Sequence, residues 1–203
     1  TTQASGNAVT TPTGYTPVTT ATTSGGAVNV TTNVYRRSSP GGESAVTIAY
    51  GGTLPFAKSV VIAVYRGVDP VTPIDGAAVT GTTASGTTVT TGALAPVQPA
   101  ERLVVLQGAG TAAVSATWTA PTGMQESAQD GGTTIFAGLA DQSLGAPGSS
   151  GTRTSQLSTS GALTGVALAL RPPQTTYGYD LRGNRTSITP PHAAPTTLTY
   201  DQA

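Results

Sequence analysis

The sequence predicts an all-β protein: a jelly-roll-like β-sandwich followed by an extended C-terminal β tail. Three observations predict it. Thr, Ala, Gly, Ser and Val dominate the 203 residues, and branching at Cβ inclines Thr and Val toward extended backbone by restricting χ1. Short apolar runs alternate with Gly, Pro, Ser and Thr clusters along the whole chain, the punctuation of strands and turns. No stretch repeats apolar residues at i, i+3, i+4 and i+7 over a useful length, so no long helix is expected.

In chain order the apolar runs place strands at residues 27–35, 45–50, 59–66, 87–90 and 102–107, then 112–118, 133–139, 152–157 and 163–171. Two of these are expected at the centre. Val60-Val61-Ile62-Ala63-Val64-Tyr65 and Leu103-Val104-Val105-Leu106 are continuously apolar, the pattern of a strand covered on both faces. Val166-Ala167-Leu168-Ala169-Leu170 alternates large and small residues and is expected to close the sandwich before Pro172-Pro173, which cannot continue a ladder. Pro12-Thr13-Gly14-Tyr15 recurs as Pro121-Thr122-Gly123-Met124. The echo suggests one turn used twice, with chance recurrence in a Thr/Gly/Pro-rich chain as the alternative.

Composition bounds the function. Charged residues make up 9% of the chain, with 9 basic and 9 acidic side chains and no net charge, against about 25% charged in a typical soluble domain. Nucleic-acid binding requires clustered Lys and Arg to displace counterions, so no nucleic-acid partner is expected. Near-zero charge weakens the repulsion that keeps copies apart, which favours self-association. There is no cysteine, hence no disulfide framework and no thiolate metal site. No run of about 20 apolar residues is present, so no helical membrane span is expected. The sequence shows no signal peptide and does not start with Met. It is read as a processed form or a piece of a longer polypeptide.

The texture changes after Pro172-Pro173, where Asp180, Arg182, Arg185 and Asp201 concentrate charge beside the single histidine, His192. The chain therefore divides into an extended N-terminal segment at 1–11, a sandwich at 12–172 and a tail at 173–203. The tail reads Tyr177-Gly178-Tyr179-Asp180-Leu181-Arg182-Gly183-Asn184-Arg185-Thr186 and ends Thr196-Thr197-Leu198-Thr199-Tyr200-Asp201. It resembles the YD repeat of Rhs-type and teneurin-like proteins, its two Tyr-Asp pairs starting 21 residues apart. About one unit is present, whereas a shell of such repeats requires many neighbours.

Residues 12–172 resemble a β-sandwich domain common in large secreted bacterial proteins. The resemblance rests on Pro12-Thr13-Gly14-Tyr15, Tyr65-Arg66-Gly67-Val68-Asp69, Pro121-Thr122-Gly123-Met124, Ala140-Asp141-Gln142 and the closing apolar strand. It implies an extracellular or cell-surface location and no enzymatic activity. It also implies strands ahead of the first Pro-Thr-Gly-Tyr turn, so an edge strand is expected to be missing. An unpaired edge recruits a strand from elsewhere. The terminal segments are the candidate donors, and Thr1, Thr11, Tyr177, Tyr179, Asp180, Tyr200 and Asp201 the candidate subunit contacts.

Other chemistry is weakly supported. His192 sits between Pro191 and Ala193 in a Pro-rich bend, a poor place for the rigidly held base of a Ser-His-Asp triad. Most carboxylates adjoin Gly or Pro, where Asp serves turns rather than a glycosidase pair. Asp69 and Asp75 share one loop and are the only calcium candidates, but their spacing fits no defined calcium loop. The Gly-rich stretches lack the phosphate-loop Lys. No cofactor is expected. Trp118 and Tyr15, Tyr35, Tyr50 and Tyr65 are available for glycan binding, with core packing the favoured role. Asn29-Val30-Thr31 and Asn184-Arg185-Thr186 match the N-glycan acceptor pattern. The two functional readings are a structural subunit of a surface fibre joined by strand exchange, and a glycan-binding or adhesive module of a larger Rhs-like protein.

Overall fold

A computed structural model describes residues 2–4, 8–24, 29–39, 41–42, 45–51, 57–111, 116–131, 134–191 and 193–200. These residues form antiparallel sheets with no helix. The strands are β1 (Thr2–Ala4), β2 (Thr16–Thr23), β3 (Val30–Arg36), β4 (Lys58–Ser59), β5 (Val79–Thr91), β6 (Arg102–Gly110) and β7 (Trp118–Thr119). They continue with β8 (Gln125–Gly131), β9 (Ile135–Ser143), β10 (Arg153–Leu170), β11 (Thr176–Tyr179), β12 (Arg185–Thr189) and β13 (Thr196–Thr197).

One sheet has the order β2-β3-β1-β4, and a larger one the order β5-β10-β6-β9-β8, with β7 also pairing β10. The two sheets face each other. Ala21 and Val34 from the first pack against Val104, Leu139, Val166 and Leu168 of the second, each apolar pair leaving water together. A chain of buried hydroxyls also crosses the interface. Thr2 Oγ1 lies 2.9 Å from Thr32 Oγ1, which lies 2.7 Å from Thr164 Oγ1, and Thr164 donates to Gly108 O at 3.3 Å. Mutual pairing makes these polar groups tolerable in the core.

The larger sheet is covered on its other face too. Leu103, Val105, Ala167 and Ala169 pack there with Leu94. Leu94 is held by Ser150, whose Oγ accepts from Leu94 N and whose N donates to Leu94 O, both at 2.9 Å. Coverage on both faces explains why 103–106 reads as a continuous apolar run, and this run is central as expected.

The predicted runs at 152–157 and 163–171 are one strand, β10. They read as two because the polar stretch between them carries a bulge, with register shifts on either side of Gly161. A Cβ at Gly161 would stand 2.6 Å from Gly110 O, so glycine is required there. The repeated Pro-Thr-Gly motif is the same turn twice. Tyr15 N donates to Pro12 O and Met124 N to Pro121 O, both at 3.0 Å, with Gly14 and Gly123 both at φ +80°. That is the type II geometry, which selects Gly at its third position.

Three expectations need correction. Residues 59–66 do not form a central strand: the ladder ends at Ser59, and Ile62 and Val64 are 59% and 79% exposed. Residues 45–50 form no strand, contributing only a bridge from Tyr50 to Val9. The strand expected at 87–90 runs from Val79 to Thr91, its Thr-rich start too polar to read as a strand. The run at 112–118 lies largely outside the described residues. The tail is an antiparallel meander, β11-β12-β13.

Candidate strand-accepting site

β1 pairs on both sides, Thr2 standing opposite Thr32 of β3 and Ser59 of β4. All three are buried. β1 is three residues long, and both neighbours run past it. β3 continues to Arg36, and beyond β4 the chain passes along 60–66. Among the described residues, no strand pairs the β1 side of β3 at 34–36, and 60–66 joins no ladder.

The two walls share one pleat. Extrapolated beyond Thr2 toward lower residue numbers, along the line of β1 itself, the register puts Val34 level with Val61, Tyr35 with Ile62 and Arg36 with Ala63. Val34, Val61 and Ala63 face the core, while Ile62 is exposed. Cross-strand neighbours point to the same face of a sheet, so these walls have the parity that a strand lying between them requires. Leu106, partly exposed, packs into the same cluster.

Side chains of the larger sheet, not a ladder, hold 60–66 in place. Asp130 Oδ2 accepts from Ser59 Oγ at 2.7 Å and from Val60 N at 3.0 Å. Five residues on, Tyr65 Oη donates to Asp141 Oδ2 at 3.1 Å. Asp141 is buried and also accepts from Ser127 Oγ and pairs with Arg102. Burial and the Asp141 carboxylate push the Tyr65 phenol well above its ordinary value, so Tyr65 stays a donor. Beside this segment lies a shallow cleft of about 360 Å³ lined by Val46, Ile48, Tyr50, Val60 and Ile62. Sequence reasoning assigned Asp130 no role at the edge. No local signal was available, because its partner Ser59 lies 71 residues away in the chain.

The proposed contact residues are dispersed. Thr1 and Asp201 lie outside the described residues, as does His192. Thr11 is exposed and outside any strand. Thr2 and its neighbours in the N-terminal donor segment are paired within their own sheet. Tyr177, Tyr179 and Tyr200 are 50%, 58% and 53% exposed on the tail. Asp180 organises the hairpin loop: Oδ1 accepts from Arg182 N at 2.9 Å and Asn184 N at 2.8 Å, and Oδ2 from Asn184 Nδ2 at 3.0 Å. The Asn184 contacts hold its carboxyl below the usual carboxylate range. Arg185 lies 4.8 Å from the Tyr177 ring centre, and Tyr200 Oη donates to Arg185 O at 2.9 Å. The YD-like unit is thus a self-stapled hairpin.

The calcium candidates serve separate backbone segments. Asp69 Oδ1 accepts from Val71 N at 2.8 Å and Thr72 N at 3.0 Å. Asp75 Oδ2 accepts from Val97 N at 2.8 Å, with Arg171 Nη1 4.0 Å from Oδ1. Among the described residues, no three His, Asp or Glu side chains converge as metal ligands. Trp118 is buried, its ring centre 6.2 Å from that of Phe136, and Tyr65 is turned inward to Asp141.

Compared with known proteins, the chain matches no family model, no curated protein and no solved structure.

Proposed function

We propose that this chain is a non-enzymatic structural module of an extracellular or bacterial cell-surface assembly, whose copies join by strand exchange along residues 60–66. The observation that carries the reading is the apolar segment 60–66, which side chains hold in place and which, among the described residues, joins no ladder. A backbone edge of this kind selects an extended strand over any other ligand. The uncharged composition favours a second copy as the source, since like copies here repel weakly. Both terminal donors are paired within their own sheets, Thr2–Ala4 with β3 and β4 and Thr196–Thr197 with β12. The tail offers Leu198 and Tyr200 alternating with Thr197 and Thr199, apolar at every second position as the place demands.

The test is the assembly state by light scattering and negative-stain imaging. Filaments or large oligomers are expected from the whole chain, and monomers after removal of 174–203. Assembly that survives the deletion would sink tail donation. A second reading, a glycan-binding or adhesive module of a larger Rhs-like protein, is favoured by the three exposed tail tyrosines. A monomeric chain that binds on a glycan array, and loses binding on Tyr177→Ala, would move that reading ahead.

A further inference from the structure

A second polar cluster lies away from the strand-accepting edge, where the tail leaves the sandwich. Residues 97–101 turn tightly into β6, with Ala100 at φ +61°. Glu101 follows and is 0% exposed. Its Oε1 accepts from Gln98 N at 3.0 Å. Its Oε2 is buried and meets no hydrogen-bond donor. The Asp75 carboxylate is its neighbour, Oδ2 accepting from Val97 N at 2.8 Å, the amide next to the one that Glu101 holds, and it acts on Glu101 through its charge and a side-chain hydrogen bond.

Two ionised carboxylates in such a place would repel, with one guanidinium, that of Arg171, to offset them. Burial also penalises the charged form of Glu101. One proton on Oε2 removes both problems, because a neutral carboxyl donates to the Asp75 carboxylate. Asp75 keeps its bond from Val97 N, and every polar atom of the pair is then satisfied. Among the described residues, Asp75 and Arg171 are the charged groups that act on Glu101. Asp69 is turned to the amides of Val71 and Thr72, and Arg102 to Asp141.

We propose that Glu101 and Asp75 share one proton in the folded protein, forming a pH-released clamp among the 69–76 loop, the 97–101 turn and the end of β10. The backbone makes the same connection: Asp75 N donates to Ala169 O at 2.9 Å, Asp69 N to Arg171 O at 2.8 Å and Arg171 N to Pro73 O at 3.0 Å. Releasing the clamp loosens the point from which the tail departs. This does not depend on strand addition.

The direction of the pH effect follows from proton linkage. Burial first, and then Asp75, raises Glu101 above the ordinary glutamate value of 4.5. The folded chain therefore holds a proton that the unfolded chain gives up. The clamp's stabilisation is full below 4.5 and is lost as pH rises through the folded value.

Urea unfolding of the whole chain and of Glu101→Gln across about pH 4 to 8 tests this, since Gln donates to Asp75 without titrating. The wild-type folding constant should fall relative to the variant by up to about tenfold per pH unit within that window. Parallel profiles would overturn the clamp. Carbon NMR of the Glu101 carboxyl needs no variant: an inflection above 4.5 is expected, and one at or below it overturns the proposal. In Asp75→Asn that inflection should move down, because the neighbouring charge is gone. An unmoved inflection would mean that the two groups do not share a proton.

Discussion

Two stretches of similar composition, 60–65 and 103–106, occupy opposite situations. The first is Val-Val-Ile-Ala-Val-Tyr and the second Leu-Val-Val-Leu. In β6, Leu103, Val104 and Val105 are nearly or wholly buried, with the smaller sheet on one face and the Leu94 segment on the other. In 60–65, Val61, Ala63 and Tyr65 pack inward, while Ile62 and Val64 face out. The difference lies in the neighbours. β6 has β10 and β9 in register along its whole length. Segment 60–65 has side-chain tethers to Asp130 and Asp141 in place of a ladder. An apolar run states what a segment is able to cover; the strands beside it decide what it does cover.

The comparison breaks most sharply on placing a charge in each run. Val105→Asp puts an unpaired carboxylate at a site 1% exposed. It should cost several kcal/mol, a large part of a domain's margin, and abolish the cooperative urea transition. Val64→Asp, at a site 79% exposed, should fold like the wild type. Deleting packing is the next step down. Leu103→Ala should cost about 2–5 kcal/mol and Val61→Ala about 1 kcal/mol, read as shifts in the urea midpoint. Equal losses would mean that 60–65 is as enclosed as β6.

Smaller effects sharpen the account of the edge. Tyr65→Phe removes one hydrogen bond to Asp141 and should cost about 0.5–1.5 kcal/mol. Amide exchange should quicken at 62–66 and stay unchanged in β6. Uniform quickening would show that Tyr65 supports the whole core rather than the edge. The smallest stability effect belongs to Val64→Thr, within about 0.5 kcal/mol. If the edge accepts a strand, this change should still lower self-association by light scattering.

Much of the fold was legible in the residues. The runs giving β3, β6, β9 and β10 stand out because their apolar clusters are bounded by Gly, Pro and Ser. The Pro-Thr-Gly turn is legible for a local reason: its third residue must take φ +80°, and only Gly does so without strain. β2, β8 and the start of β5 were not legible. Each is mostly polar residues and Gly, with few buried side chains, so what marks them as strands is the partner that ladders them rather than an apolar run. The edge site was legible in part. The sequence placed an apolar strand at 59–66 but assigned it to the middle of a sheet. Nothing local distinguishes a run covered on both faces from one left at an edge.

By itself, the sequence determined the class and the Pro-Thr-Gly turns, because each follows from residue chemistry within a few positions. Thr and Val favour extended backbone, and Gly permits left-handed turns, whereas the tail, expected to be extended, is folded on itself around Asp180. Only the tertiary structure decided which apolar run is central, that side chains rather than a ladder hold 60–66, and that Asp75 meets Glu101 across 26 residues of chain. These depend on pairings between distant segments, whose partners no local pattern names.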